Sequence, residues 1–227
     1  MNAFSGFRPD SIQFLVENRQ RNSKPWFESH RNRYEILLLN PFRNLIGELT
    51  PFMLAIDPDF DLKPAINRTI SRLYRDTRFS RDKSLFRDTM WLVIRRLGED
   101  WKTSAPAFYF EISPSGYRYG MGFYAASRMI MDLFREAIDE KPQIFKKATA
   151  FLVRSDRYEL NGESYKRRLP SRHPQIIQTW YQRKTFYLVC ERSHDEVLYS
   201  SRLTGELTEG FEILAPLYRF IVQALIR

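Results

Sequence analysis

Cysteine is nearly absent: the 227 residues contain a single one, Cys190. That excludes an intramolecular disulfide and a cysteine-built metal site. Histidine is almost as scarce. His30, His173 and His194 lie far apart, without the His-x₃-His type of spacing that holds a metal. Glycine is limited to nine residues. Gly116, Gly120 and Gly122 fit neither the Walker A loop nor the dinucleotide fingerprint, and no Gly-x-Ser-x-Gly elbow occurs. No apolar run approaches the roughly 18 residues of a membrane span; Leu37–Leu39 and Trp91–Ile94 are short. The N-terminus, MNAFSGFRPDS, lacks the basic-then-apolar order of a secretory signal. A cytoplasmic protein is therefore expected, with no cofactor, no metal and no membrane association.

What the chain does have is rings and positive charge. Aromatic residues make up 15%, enough for a well-filled core. The net charge of +9 is unevenly placed. Lys63–Arg96 holds ten Lys/Arg and three Asp, and Arg154–Lys184 holds eight Lys/Arg and three acids. These two segments carry the whole excess. Such segments attract anions, whether nucleic acid, phosphorylated metabolites or acidic surfaces; they also occur as plain solvated faces.

Apolar periodicity reads as helix through the first quarter. Asp10 is placed to cap a first helix bearing Ile12, Phe14, Leu15 and Asn18. Ser23 is placed to cap a second, with Pro25 in its first turn. Asn40–Pro41 is expected to break that helix before a third, about Phe42–Ala55, with Phe42, Leu45, Ile46, Leu49 and Phe52 on one stripe. The period then changes. Ala107–Ser113 and Tyr117–Tyr124 flank a Pro-Ser-Gly turn and predict a β-hairpin. Gly120 and Gly122 within it signal a bulge or a close approach. Thr69–Tyr74 and Trp91–Leu97 are weaker strand candidates. Further helices are predicted at Ser127–Asp139, from Pro142 to Leu152 and at Pro174–Arg183. Short strands are predicted at Tyr158–Leu160 and Thr185–Glu191. A C-terminal helix carries Leu207, Phe211, Leu214, Tyr218, Ile221 and Leu225 on one stripe, with Pro216 expected to kink or split it. The whole reads as one α+β domain, residues 1–227, with a mainly antiparallel sheet and flanking helices.

The segment Ile70–Phe86, ISRLYRDTRFSRDKSLF, is the densest in chemistry. Its core, Tyr-Arg-Asp-x-Arg-Phe-Ser-x-Asp-Lys, resembles the signature of an uncharacterised family, domain of unknown function 2461. Phe7-Arg8-Pro9, Trp26-Phe27 with Arg31 and Tyr34, Gly120–Tyr124, Arg135–Ile138 and Trp180–Phe186 are similar to that family too. One departure is Ser84-Leu85-Phe86, where a Pro-Tyr would follow the lysine. The resemblance implies a conserved domain and no established activity or cofactor.

Arg72, Arg75, Arg78, Arg81 and Lys83 fall within twelve residues, interleaved with Asp76 and Asp82. A guanidinium presents a planar fork suited to carboxylate and phosphate. Converging at a concave surface beside the hairpin, Arg72, Arg75, Arg78, Asp82 and Lys83 would form an anion site, with Asp76 also orienting the cations. Tyr109 and Tyr124 on the hairpin would add rings. The competing reading is a structural Arg–Asp lattice that pins an irregular segment to the domain. Phe79 reads as a core anchor, Ser80 as a turn residue, and Lys166-Arg167-Arg168 as an exposed loop. The function expected is thus binding of, or action on, a small phosphorylated or carboxylated ligand. The alternatives are a nucleic-acid-binding module, which has charge in its favour but no recognisable reading motif, and an interaction protein in which the signature is structural.

Overall fold

The computed structural model describes residues 3–78, 80–98 and 105–226. Phe79, with its expected anchoring role, lies outside the described residues. Helix α1 spans Pro9–Arg21 and buries Ser11, Phe14, Leu15 and Asn18. Arg8, and not Asp10, is its N-cap, because Pro9 already occupies the first turn. Asp10 sits instead in that turn, where a carboxylate favours the helix dipole. The helix ends at Asn22 in the left-handed conformation (φ 48°). Ser23 caps α2 (Lys24–Ser29), accepting a bond from the Trp26 N–H.

After α3 (Arg31–Tyr34) the chain widens into a π turn, Glu35–Leu39, that runs without a break into α4 (Asn40–Ile56). The expected break at Asn40–Pro41 is therefore absent. Proline has no N–H for the carbonyl four residues earlier and its ring crowds that carbonyl. That carbonyl belongs to Leu37, and it is taken by the buried Ser11 hydroxyl at 2.7 Å. The wide turn also lets Leu37, Leu38 and Leu39 be buried together. Along α4 the buried stripe is Phe42, Leu45, Ile46, Leu49, Met53 and Ile56; Met53 occupies the place expected for Phe52.

The strands are β1 (Phe60–Asp61), β2 (Met90–Arg96), β3 (Ala107–Ser113), β4 (Gly116–Gly122), β5 (Glu159–Asn161) and β6 (Tyr187–Arg192). They form one antiparallel sheet in the order β1-β2-β3-β4-β6-β5, with flanking helices, which makes the protein α+β. β5 pairs with β6 in the register Leu160↔Leu188. Thr69–Tyr74 is not a continuous strand; it makes isolated bridges at Ile70 and Tyr74. Between β4 and β6 lie α5 (Arg128–Glu140), α6 (Pro142–Ala148), α7 (Phe151–Arg154) and α8 (Gln175–Tyr181). The single helix expected from Pro142 to Leu152 is interrupted at Thr149, whose hydroxyl bonds back to the Phe145 carbonyl. The C-terminal α9 (Arg202–Leu225) continues through Pro216 without splitting.

The chain divides into two compact units. One comprises the stretch up to Ile94, Tyr109–Tyr119 and Glu191–Thr208. Its core joins Phe7 to Phe42 of α4 (5.0 Å) and Phe110 of β3 (5.8 Å). Gly6 (φ 101°) lets the chain run against the Tyr199–Ser200 backbone, where a Cβ would collide. The other unit comprises Arg95–Phe108, Gly120–Cys190 and the stretch from Glu209 onward. Phe108 packs there on Phe211 and Tyr218 of α9, and Phe134 packs on Phe145 and Phe186. Gly122 abuts the Tyr187 backbone, which is the close approach that its position in a ring-rich strand predicts.

Candidate functional site

The signature segment is a loop closed at its neck by a two-stranded bridge. Tyr74 pairs with Phe86, the Arg75 N–H donates to the Leu85 carbonyl at 2.8 Å, and the Arg87 N–H donates to the Leu73 carbonyl at 2.9 Å. Three rings pack beneath: Tyr74 on Phe86 at 4.7 Å, and Phe27 of α2 on each of them. Trp26-Phe27 and the signature, two segments far apart in sequence, thus share one cluster.

The end of α1 holds the loop from the other side. Arg19 donates to the Phe86 carbonyl at 2.7 Å and to Asp82 Oδ2 at 2.5 Å. The Asn22 side-chain carbonyl accepts from the Leu85 N–H at 2.6 Å. Asp82 also accepts bonds from the Ser84 hydroxyl and N–H, and lies 3.1 Å from Arg75 Nη1. The Ser84 bonds, seconded by Arg19, hold its carboxyl well below the usual carboxylate range. Asp76 is gripped by one residue, Arg78, through Nε (3.0 Å), Nη2 (2.7 Å) and the backbone N–H. Those bonds likewise lower its pKa. Lys83 donates to the Thr77 carbonyl at 2.9 Å. Ser80 accepts a bond from Arg75 Nη2 and sits in the turn.

Beside this loop lies a cavity of about 270 Å³ lined by Arg75, Asp76, Arg87, Asp88, Thr89 and Trp91. Of the residues expected to converge, it brings together Arg75 and Asp76. Arg72, Arg78, Asp82 and Lys83 do not line it. Arg72 and Arg78 are exposed, as is Lys83. Tyr109 is half-buried on β3, and Tyr124, past the end of β4, is 71% exposed. Arg87 lies over the face of Trp91, 4.6 Å from the ring centroid, a cation–π contact that fixes its guanidinium. Arg75 Nε is shut off from solvent and has no hydrogen-bond partner. The charged residues on its walls are two arginines, Arg75 and Arg87, and two aspartates, Asp76 and Asp88; Asp76 is paired with Arg78, and Arg75 with Asp82. Arg87, Asp88 and Trp91 were invisible as site residues in the sequence. The only signal was that Arg87 follows the signature directly, with Trp91 four positions on.

Arginine also clusters in the second unit, to a different end. Arg135 of α5 is 5% exposed. It donates to the Tyr181 carbonyl (2.9 Å), the Arg183 carbonyl (2.5 Å) and Asp132 (2.7 Å). Arg183 in turn donates to the carbonyls of Gly162 (2.5 Å) and Leu160 (3.0 Å). The pair therefore pins Trp180–Phe186 to α5 and to β5, joining two more segments that carry the resemblance. Lys166, Arg167 and Arg168 are exposed in the intervening loop. His173 bonds Asp139 at 2.7 Å, His30 stacks on Trp26 at 4.1 Å, and His194 bonds the Ser113 carbonyl at 2.9 Å. Among the described residues no group of three or more His, Cys, Asp or Glu side chains could hold a metal ion, and no helix is long and apolar enough to cross a membrane.

Fold and loop together define an α+β protein built around an arginine- and aspartate-rich loop beside a polar cavity. Over residues 10–220 the sequence matches the family described as "Conserved hypothetical protein (DUF2461)", and the chain belongs to that family. No curated protein matches it. Membership confirms the kinship read from the signature and names no reaction.

Proposed function

We propose that the protein binds a small phosphorylated or carboxylated ligand in the cavity between Arg75 and Arg87. The observation that carries this reading is that two guanidinium residues, the half-buried Arg75 and Arg87, line one cavity. Two guanidinia facing one space suit an anion with several acceptor oxygens. Arg87 is held in place over Trp91 before any ligand arrives, so little ordering remains for binding to supply.

The signature divides its labour in this reading. Asp82, shared by Arg19, Arg75 and Ser84, is the lattice that shapes the loop; Arg75 and Arg87 face the ligand. Tyr109 and Tyr124 have no part in it. No reaction is assigned. Nucleic acid is expected to bind only weakly and without sequence preference through the exposed cations, and to be displaced by moderate salt. The single, unpaired Cys190 agrees with a reducing, cytoplasmic setting.

The test is a thermal melt in phosphate against chloride at equal ionic strength. Wild-type protein should be stabilised by phosphate, by mass action, and Arg87→Ala should not. Equal melting in both salts for the wild type would remove the proposal.

A further inference from the structure

The anion cavity does not end at Thr89. The same residue lines a second cavity of about 490 Å³ at the closed end of the β3–β4 hairpin. The two spaces therefore adjoin, and both lie within one compact unit. The chemistry changes across Thr89. The second cavity is lined by Ser113, Ser193, Glu111, Arg118, Glu191 and Arg192, the last of which is paired with Asp195 and Glu206. Arg118 donates to Glu111 at 2.8 Å, so that pair largely cancels. Glu191 is exposed on the wall, and its side chain makes no hydrogen bond or ion pair among the described residues. Tyr117, the ring on this wall, is 3% exposed and turns its hydroxyl to Asp195.

Resting on the anion-site reading, we infer that the ligand is a phosphate or carboxylate joined to a hydroxyl-rich body, as in a sugar phosphate, with the anion at Arg75 and Arg87 and the hydroxyls in the Glu111–Glu191 cavity. Each alternative class meets a specific cost. An apolar tail would strip water from Glu111, Glu191 and the serine hydroxyls and return no hydrogen bonds. A second anionic group would face the unpaired Glu191 carboxylate, with like charges repelling. A polyol does neither: each hydroxyl donates to a carboxylate and accepts from a serine or from Arg118. Asp88 extends the same logic into the first cavity, since a carboxylate there accepts from a hydroxyl next to the anion and disfavours a fully ionised neighbour.

The full chain is titrated calorimetrically with inorganic phosphate, glucose 6-phosphate, ribose 5-phosphate, glycerol phosphate and phenyl phosphate. At least one polyol phosphate should bind about tenfold tighter than inorganic phosphate, and phenyl phosphate should gain nothing over it. Glu191→Gln, a change on an exposed side chain, should reduce the polyol advantage several-fold and leave inorganic phosphate unchanged. Binding of inorganic phosphate with no polyol gain, or with phenyl phosphate tightest, overturns this inference and leaves the anion site standing. Binding of none of the five overturns both.

Discussion

Around Arg135 and Arg183 two donors of each guanidinium end on backbone carbonyls, whereas Arg75 and Arg87 border a cavity. Both pairs contain residues from the strongly basic segments of the sequence, and both are largely out of solvent. The difference lies in the acceptors. A carbonyl belongs to the chain, so a guanidinium bound to several carbonyls is a structural clamp held by acceptors of the fold itself. Arg75 reaches only side chains, Ser80 and Asp82; a buried Nε without a partner is common to Arg75 and Arg183 and does not separate them. Composition and charge cannot separate the two cases. Which acceptors a buried arginine meets can, and that is why one segment is read as scaffold and the other as a site.

The comparison can be broken at either end. The largest effect is expected at the clamp. Arg135→Met leaves the Tyr181 and Arg183 carbonyls buried without donors and should cost about 3–5 kcal/mol, read by urea denaturation. Arg183→Met strands the Gly162 and Leu160 carbonyls and should cost about 2–3 kcal/mol. Because Arg135 holds the backbone from which the Arg183 side chain projects, loosening that backbone already weakens the Arg183 bonds, and the double substitution should cost less than the two losses added. Neither change should alter phosphate affinity. A clamp variant that melts like wild type would show that buried acceptors do not distinguish the two regions.

Next in size is the acid response of the loop. Asp82 and Asp76 have carboxyl pKa values lowered in the folded state, Asp82 by Ser84 and Arg19 and Asp76 by Arg78. A lowered folded pKa favours the ionised form, so this stabilisation is full above the unfolded carboxylate value of about 4. It is lost as pH falls below that value toward the folded pKa. Asp82→Asn should therefore lower the melting temperature at pH 7 and flatten its fall between about pH 5 and pH 2. An unchanged acid limb would mean that Asp82 does not anchor the loop.

Much of the scaffold was legible. Ala107–Ser113 is β3 to the residue, and Ser23 caps the helix it precedes. Strand periodicity and hydroxyl caps are local properties, and they survive in the fold. The errors came where a distant group settles a local conflict. Asn40–Pro41 would end a helix, except that the Ser11 hydroxyl, 26 residues before the Leu37 carbonyl it serves, takes the acceptor that proline leaves. Pro216 would interrupt α9, yet Leu214, Leu217, Tyr218 and Ile221 are all fully buried, and packing on that scale outweighs one missing bond. At the candidate site, the signature marked the loop that borders the cavity, with Arg75 and Asp76 on its wall. It could not point to Arg19, because nothing in the sequence near α1 says that its last turn meets Asp82. Nor could it say that Arg72 and Lys83 look elsewhere, since a loop has no period from which to read direction.

The smallest effect expected is also the most informative: apo stability in Arg75→Ala and Arg87→Ala. Removing Arg75 does not strand Asp82, which keeps Arg19 and Ser84. Removing Arg87 leaves Trp91 in a half-buried setting. Each variant should unfold within about 1 kcal/mol of wild type. Paired melts of wild type, Arg75→Ala and Arg87→Ala, with and without phosphate at fixed ionic strength, decide the matter. The account predicts near-equal melting without phosphate, and a phosphate-dependent rise in the wild type alone. A large loss in the phosphate-free variants, with no phosphate-dependent rise in the wild type, would make Arg75 and Arg87 a second clamp and contradict it.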